Sequence, residues 1–242
     1  MLGRRKSLTC SRKKLACYLP LGDPLMPLDM AQIYVSCGVD ILEVGFPDLN
    51  PVLDGSLVRN SMKRSLGNGM TASRWRTQLS RIRDQFPDTY VVAMGYVDLS
   101  PLFVSDTGEL LADAVLQVGN APPAKSQLVQ KVAFVSTRLE EREVLAAHSA
   151  TAYVMVQANE GKTGLRKSLS TESRIRIERL RKEGIGVPLL LGIGISSAAQ
   201  AAKALTFGAD GVVVGSACIH AALKGRHALS RFVRDVRSVL DA

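Results

Sequence analysis

What this 242-residue sequence lacks narrows it quickly. It has no apolar run long enough to span a bilayer, which excludes a helical membrane protein. Its four cysteines, Cys10, Cys17, Cys37 and Cys218, show no CxxC spacing, and His148, His220 and His227 form no HExxH. Neither a zinc site nor a disulfide framework is indicated, and a reducing cytoplasm is the expected compartment. No lysine stands in a Walker A context and "GIGIS" is not a dinucleotide fingerprint, so triphosphate and nicotinamide chemistry have little support. Linkers and low-complexity tracts are missing too, so residues 1–242 read as one domain.

What is present is a 46% hydrophobic chain with a formal charge of +9. Such a balance fits nucleic acid, anionic lipid or an anionic metabolite, and its distribution matters more than its total. Six cations fall in "MLGRRKSLTCSRKK", residues 1–14, which carries no apolar stretch typical of a secretory leader. That segment is expected to be a flexible basic N-terminus. A second cluster, "TESRIRIERLRKEG", reads as a helix with Ile175, Ile177 and Leu180 set among solvated arginines and lysines.

Short apolar runs alternate with amphipathic stretches along the whole chain. The candidate strands are "ACYLP", "DILEVG", "YVVAMGY", "DAVLQVG", "KVAFVS", "AYVMVQ", "VPLLLG" and "DGVVVG". Continuous apolar strands, buried on both faces, are expected when helices cover a parallel sheet. Eight of them, with helices between most pairs, favour an α/β fold of the (β/α)₈ barrel type over a doubly wound sheet. In such barrels the active site collects on the loops at the C-terminal ends of the strands.

Two carboxylates stand at that rim. Glu43 lies near the end of the second strand, and Asp54 on the loop after it, just before Gly55. A carboxyl in apolar surroundings exchanges protons near neutrality whereas a solvated one stays ionised, so such a pair can divide acid and base roles. Each has a plainer reading as well: Glu43 as a buried acid paired with a cation, Asp54 as a turn residue. In the second half, "NEGKTGL", "LLGIGIS" and "ADGVVVGSA" place glycine or a small hydroxyl residue at or after a strand. Glycine lets backbone approach a ligand, amides at a helix N-terminus favour an anion, and the seventh and eighth loops of these barrels commonly hold phosphate. Gly192, Ile193, Gly194, Gly215 and Ser216 are the candidates; tight turns are the alternative.

The ordered set "YLPLGDP", "GVDILEVGFP", "NPVLDG", "GKTG", "GIGIS" and "FGADGVVVGSA", over about residues 16–220, resembles the tryptophan synthase α chain family. The resemblance implies a (β/α)₈ barrel that cleaves indole-3-glycerol phosphate into indole and glyceraldehyde 3-phosphate. It needs no cofactor of its own, and pyridoxal phosphate belongs to a β-chain partner. It implies that Glu43 is the acid–base residue, that Asp54 stabilises the indole N–H, and that Thr163 closes a loop onto the Asp54 loop. Gly164, Gly194, Gly215 and Ser216 are implied at the phosphate, and Tyr18 and Tyr96 at the indole pocket.

The sequence departs from the family pattern at several loops. Asn50 replaces the usual Asp after the catalytic strand, and Gly119 stands where an acid is expected after the fourth. Residues 98–112 leave little length for a third barrel helix. Asn159 and Lys162 replace the Arg and Val of the sixth loop, and Met155 an aromatic pocket residue. These changes spare both carboxylates, so lyase chemistry is expected to persist more than ordinary partner communication. A non-catalytic α-like subunit and a different phosphosugar-processing barrel remain the competing readings.

Overall fold

In the computed structural model, which describes residues 8, 12–119, 128–166 and 168–242, eight parallel strands close into a barrel. The order is β1 (Lys14–Pro20), α1 (Met30–Ser36), β2 (Ile41–Gly45), α2 (Ser56–Gly67), α3 (Ala72–Gln85), β3 (Tyr90–Gly95), β4 (Ala114–Gln117) and β5 (Gln130–Val135). It continues with α4 (Glu141–His148), β6 (Tyr153–Gln157), α5 (Glu172–Lys182), β7 (Leu189–Gly192), α6 (Ala198–Thr206), β8 (Gly211–Val214), α7 (Ser216–Ala222) and α8 (Arg226–Asp241). Every run expected to be a strand is one. The segment "NAPPAK", after Gly119, lies outside the described residues.

Strand periodicity divides the apolar residues into two cores. Leu15, Cys17, Leu19, Leu42, Val44, Val91 and Ala93 belong to the layer between sheet and helices. Their neighbours Ala16, Tyr18, Ile41, Val92 and Met94, with Leu116, Tyr153, Met155 and Val213, fill the barrel interior. Since Ile41 points inward, Glu43 two residues later does too, and the register sets it between Tyr18 of β1 and Val92 of β3.

Two sequence expectations need correction. The basic N-terminal segment does not extend to residue 14, because Lys14 is buried and opens β1. Arg12 and Arg237 both pair with Asp40, and Lys13 donates to the Ala209 carbonyl, so these cations are consumed at the base of the barrel. Residues 1–7 and 9–11 of that segment lie outside the described residues. In α5 the solvated-face reading is inverted at two neighbours: Ile175 is exposed and Arg176 is buried. The inward face runs Ser173, Arg176, Ile177, Leu180, a spacing of one helical turn that skips Ile175. Arg176 donates to the carbonyls of Gln157 and Ala158, fixing the end of β6.

The connection from β3 to β4 contains no helix, as its length implied. A single antiparallel bridge, Val104 with Leu110, folds it back, and Leu99, Phe103 and Leu111 bury themselves where a helix would cover the sheet. In α3, Trp75 is fully buried and donates to the Gly45 carbonyl at 3.0 Å, with Phe46 edge-on at 5.5 Å. The end of the Glu43 strand is thereby pinned from outside the barrel.

Candidate active site

The mouth of the barrel holds a cavity with an empty volume of about 600 Å³, counting its opening. Its walls are Tyr18, Glu43, Met94, Leu116, Phe134, Met155 and Val213 from strands, and Leu53, Asp54, Tyr96, Thr163, Ile193, Gly194, Gly215 and Ser216 from loops and helix starts. Most of this surface is hydrocarbon or aromatic, with the two carboxylates as the acidic groups among the described lining residues. A flat aromatic ligand fits that composition.

Glu43 is 4% exposed and accepts one hydrogen bond, from the Tyr153 hydroxyl at 3.3 Å. Burial raises its carboxyl to about 7; the Tyr153 bond opposes this and the nearby Asp54 charge adds to it. Such a group gives and takes a proton near neutrality at little cost. The Tyr18 ring beside it depends on glycine: a Cβ at Gly45 would stand 2.1 Å from the Tyr18 hydroxyl, so only hydrogen there admits that ring.

Asp54 is 2% exposed yet well partnered. The Tyr96 hydroxyl donates to one oxygen at 2.8 Å, and the Thr163 hydroxyl to the other at 3.0 Å. Burial raises its pKa, against those two bonds and the positive fields of Arg59 and Lys162. The Lys162 that replaces the family's valine therefore favours an ionised Asp54. Tyr96 also accepts from the Leu53 amide at 3.3 Å. Gly119 at φ +68° lies against the Tyr96 ring, so the glycine that replaces an acid after β4 serves to seat this phenol.

The loop after β6 closes over this pair. Thr163 donates its amide to the Leu53 carbonyl at 2.9 Å, and its hydroxyl accepts from the Gly55 amide at 2.9 Å. A Cβ at Gly55 would lie 2.0 Å from the Thr163 carbonyl oxygen. Gly55→Ala should therefore lift the loop away and lower kcat by about 10²-fold, the scale set by ångström misplacement. Steady-state kinetics beside a melting curve checks this; unchanged kcat would mean the loop closes some other way.

At the opposite wall Ile193 has φ 59° and Gly194 φ 110°. A β-branched residue in that region is strained, and such strain persists where the surroundings enforce it, often around ligands. Beside them, Gly215 and Ser216 open α7, whose first amides have no intrahelical acceptor. Tyr18, Tyr96, Thr163, Ile193, Gly194, Gly215 and Ser216 thus gather with both carboxylates around one cavity. Gly164 and Gly192 do not line it: nothing lies within 4 Å of a Cβ at 164, while Gly192 makes room for Val213 and Met155. Asn50 is exposed at the rim, where its amide donates to Asp48 at 2.7 Å.

Sequence reasoning missed Tyr153 and the apolar walls Met94, Leu116 and Phe134. The one available signal was parity, since Tyr153 shares the inward face of β6 with Met155.

A closed parallel barrel with buried paired carboxylates beside glycine-rich seventh and eighth loops is the plan of a (β/α)₈ enzyme that works by acid–base chemistry on a phosphorylated substrate. The particular kind follows from comparison: residues 5–238 match the "Tryptophan synthase alpha chain" family, and the chain belongs to it. The tryptophan synthase alpha chain of Acinetobacter baumannii is 30% identical over 95% of this chain and 93% of its own length. Structures superpose well: tryptophan synthase subunit alpha from Legionella pneumophila gives a TM-score of 0.76 at 22% identity, covering 95% of this chain and 93% of that one. Mycobacterium tuberculosis tryptophan synthase gives 0.78 at 20% identity, covering 96% and 94%. Family members cleave indole-3-glycerol phosphate without a cofactor, pair with a β chain that carries the pyridoxal phosphate, and serve tryptophan synthesis.

Proposed function

We propose that this chain cleaves indole-3-glycerol phosphate with Glu43 as proton donor and acceptor and Asp54 as the partner of the indole N–H. The carrying observation is the pairing itself: a buried carboxyl at about 7 and a second, doubly hydrogen-bonded carboxyl share one apolar cavity. The substrate's phosphate lies toward Gly194, Gly215 and Ser216, and its ring between the carboxylates against Tyr18, Met94 and Phe134. Protonated Glu43 gives its proton to ring carbon C3, and the ring nitrogen takes up positive charge facing Asp54. Glu43, now charged, removes the proton of the adjacent glycerol hydroxyl. The C–C electron pair returns to the ring, the hydroxyl carbon becomes the aldehyde, and Glu43 ends protonated as it began.

This order fixes the pH dependence. Productive enzyme needs Glu43 protonated and Asp54 ionised, so kcat/KM should fall above about pH 7 as Glu43 loses its proton. It should also fall on the acid side, at a pH above the ordinary carboxylate range, as Asp54 gains one. Indole release from the substrate by the chain alone, followed across roughly pH 5 to 9, tests both limbs. A flat profile, or no release with or without a β chain, would remove the proposal. Three buried free thiols, Cys17, Cys37 and Cys218, support a cytoplasmic setting, and among the described residues no helix is long and apolar enough to cross a membrane.

A further inference from the structure

We propose that Arg166 is a positioning residue that staples the loop after β6 shut, so that Thr163 stays on Asp54 in the chain without a β partner. This deepens the site described above and rests on its assignment. The family's arginine at the second position of that loop is Asn159 here, but an arginine seven residues on takes hold of the same segment from its other end. The Arg166 Nη2 donates to the Glu160 carbonyl at 3.2 Å and the Lys162 carbonyl at 3.0 Å. Lys162 is the residue before Thr163. One guanidinium nitrogen therefore fixes the backbone immediately ahead of the residue that reaches Asp54.

The staple is itself anchored to the barrel. The carbonyl of Arg166 accepts from Gln200 Nε2 at 2.7 Å and from the Ser196 hydroxyl at 3.1 Å, at the start of α6. At the other end of the loop, Gln157 Nε2 donates to the Gly161 carbonyl at 2.8 Å, and Asn159 Oδ1 accepts from the Ser170 amide at 3.1 Å. The stem of Arg166 roofs the strained turn after β7: a Cβ on Gly194 would lie 2.9 Å from its Cγ. A continuous set of contacts thus runs from α6 through Arg166 and Lys162 to Thr163 and Asp54, passing over the loop proposed for phosphate. All of it lies within this chain. The closed state is held by the subunit's own side chains, and closing the loop leaves a β chain little to add.

The test compares wild type with Arg166→Ala and Arg166→Lys, without a β chain, by indole release and by hydrogen–deuterium exchange over residues 159–166. Arg166 is exposed, so the fold should survive both changes, which thermal unfolding verifies. Arg166→Ala should exchange faster across the loop and lose about tenfold in kcat with a smaller change in KM, the factor for one exposed charge-assisted hydrogen bond. Arg166→Lys, a point charge able to reach a carbonyl, should recover part of both. Adding a β chain should raise the alanine variant's kcat more than the wild type's. Wild-type exchange and turnover in Arg166→Ala overturns the staple, as does lost turnover with unchanged exchange. Glu43→Gln separates the two layers: it should lose activity with loop exchange unaltered, and retained activity there would count against the site, not the staple.

Discussion

Replacing Glu43 by glutamine should stop indole release and, above neutral pH, make the protein more stable. The kinetic half follows from the chemistry: without its carboxyl this position neither gives nor takes a proton, and positioned acid–base catalysis is worth about 10²–10⁴-fold. The stability half follows from linkage. Glu43 has its ordinary value of 4.5 in the unfolded chain and about 7 in the folded one. Below the lower value both states are protonated and the fold bears no penalty. As pH rises from the lower value through the higher, the unfolded state releases its proton first and the fold is progressively weakened. Above about 7 the full difference applies, about 3 kcal/mol for that gap. Glutamine keeps the shape and an acceptor for Tyr153 but no charge, so at about pH 8 it should raise the melting temperature by several degrees, at roughly 2–4 °C per kcal/mol for a chain of this size. At about pH 4 the two proteins should melt together. Melting curves at both values decide the matter; a variant no more stable at the higher pH would show that Glu43 is not held neutral by its burial.

Asp54→Asn should be nearly as damaging to turnover by a different route. The substitution preserves volume but removes the negative charge that faces the ring nitrogen as it becomes positive. Losing one such preorganised electrostatic partner costs about 10²–10³-fold in kcat. Tyr96 and Thr163 both donate to the carboxylate, and an amide offers only one acceptor to the two of them. Part of the loss will therefore come from a loosened loop. Thr163→Ala apportions it, because it frees the loop while keeping the charge, and its loss should be the smaller. If the threonine variant proved as slow as the asparagine one, Asp54 would matter as a tether for the loop and not as a charge.

Much of this is legible in the sequence. The strands announced themselves because parallel barrel strands, covered inside and out, are written as unbroken apolar runs. Glu43 stood out because a charge inside such a run needs a reason. Thr163 and Asp54 were paired only through the family likeness, since 109 residues separate them and nothing local links a turn threonine to a distant aspartate. Tyr153 was invisible for a related reason: its meeting with Glu43 is decided by strand parity and register across the barrel. Arg176 shows the limit for long polar side chains. Its cluster reads as solvated surface, yet it turns inward on the buried stripe of α5, while the exposed Arg166, which no motif marks, bends back onto its own loop. Glycines mislead in the other direction, since Gly192 looks like a ligand contact and is a packing concession to Val213 and Met155.

Trp75 is the chain's single tryptophan, and it is tied to the carbonyl that ends the Glu43 strand. The molecule therefore carries one indole side chain, the residue whose fluorescence can be excited apart from that of the tyrosines, shielded from water and attached directly to the strand that holds the acid. Its emission reports on that strand from the far side of the sheet, without a label. The same photons would register a shift of the strand on ligand binding and its release on unfolding, two events told apart by the colour to which the light moves.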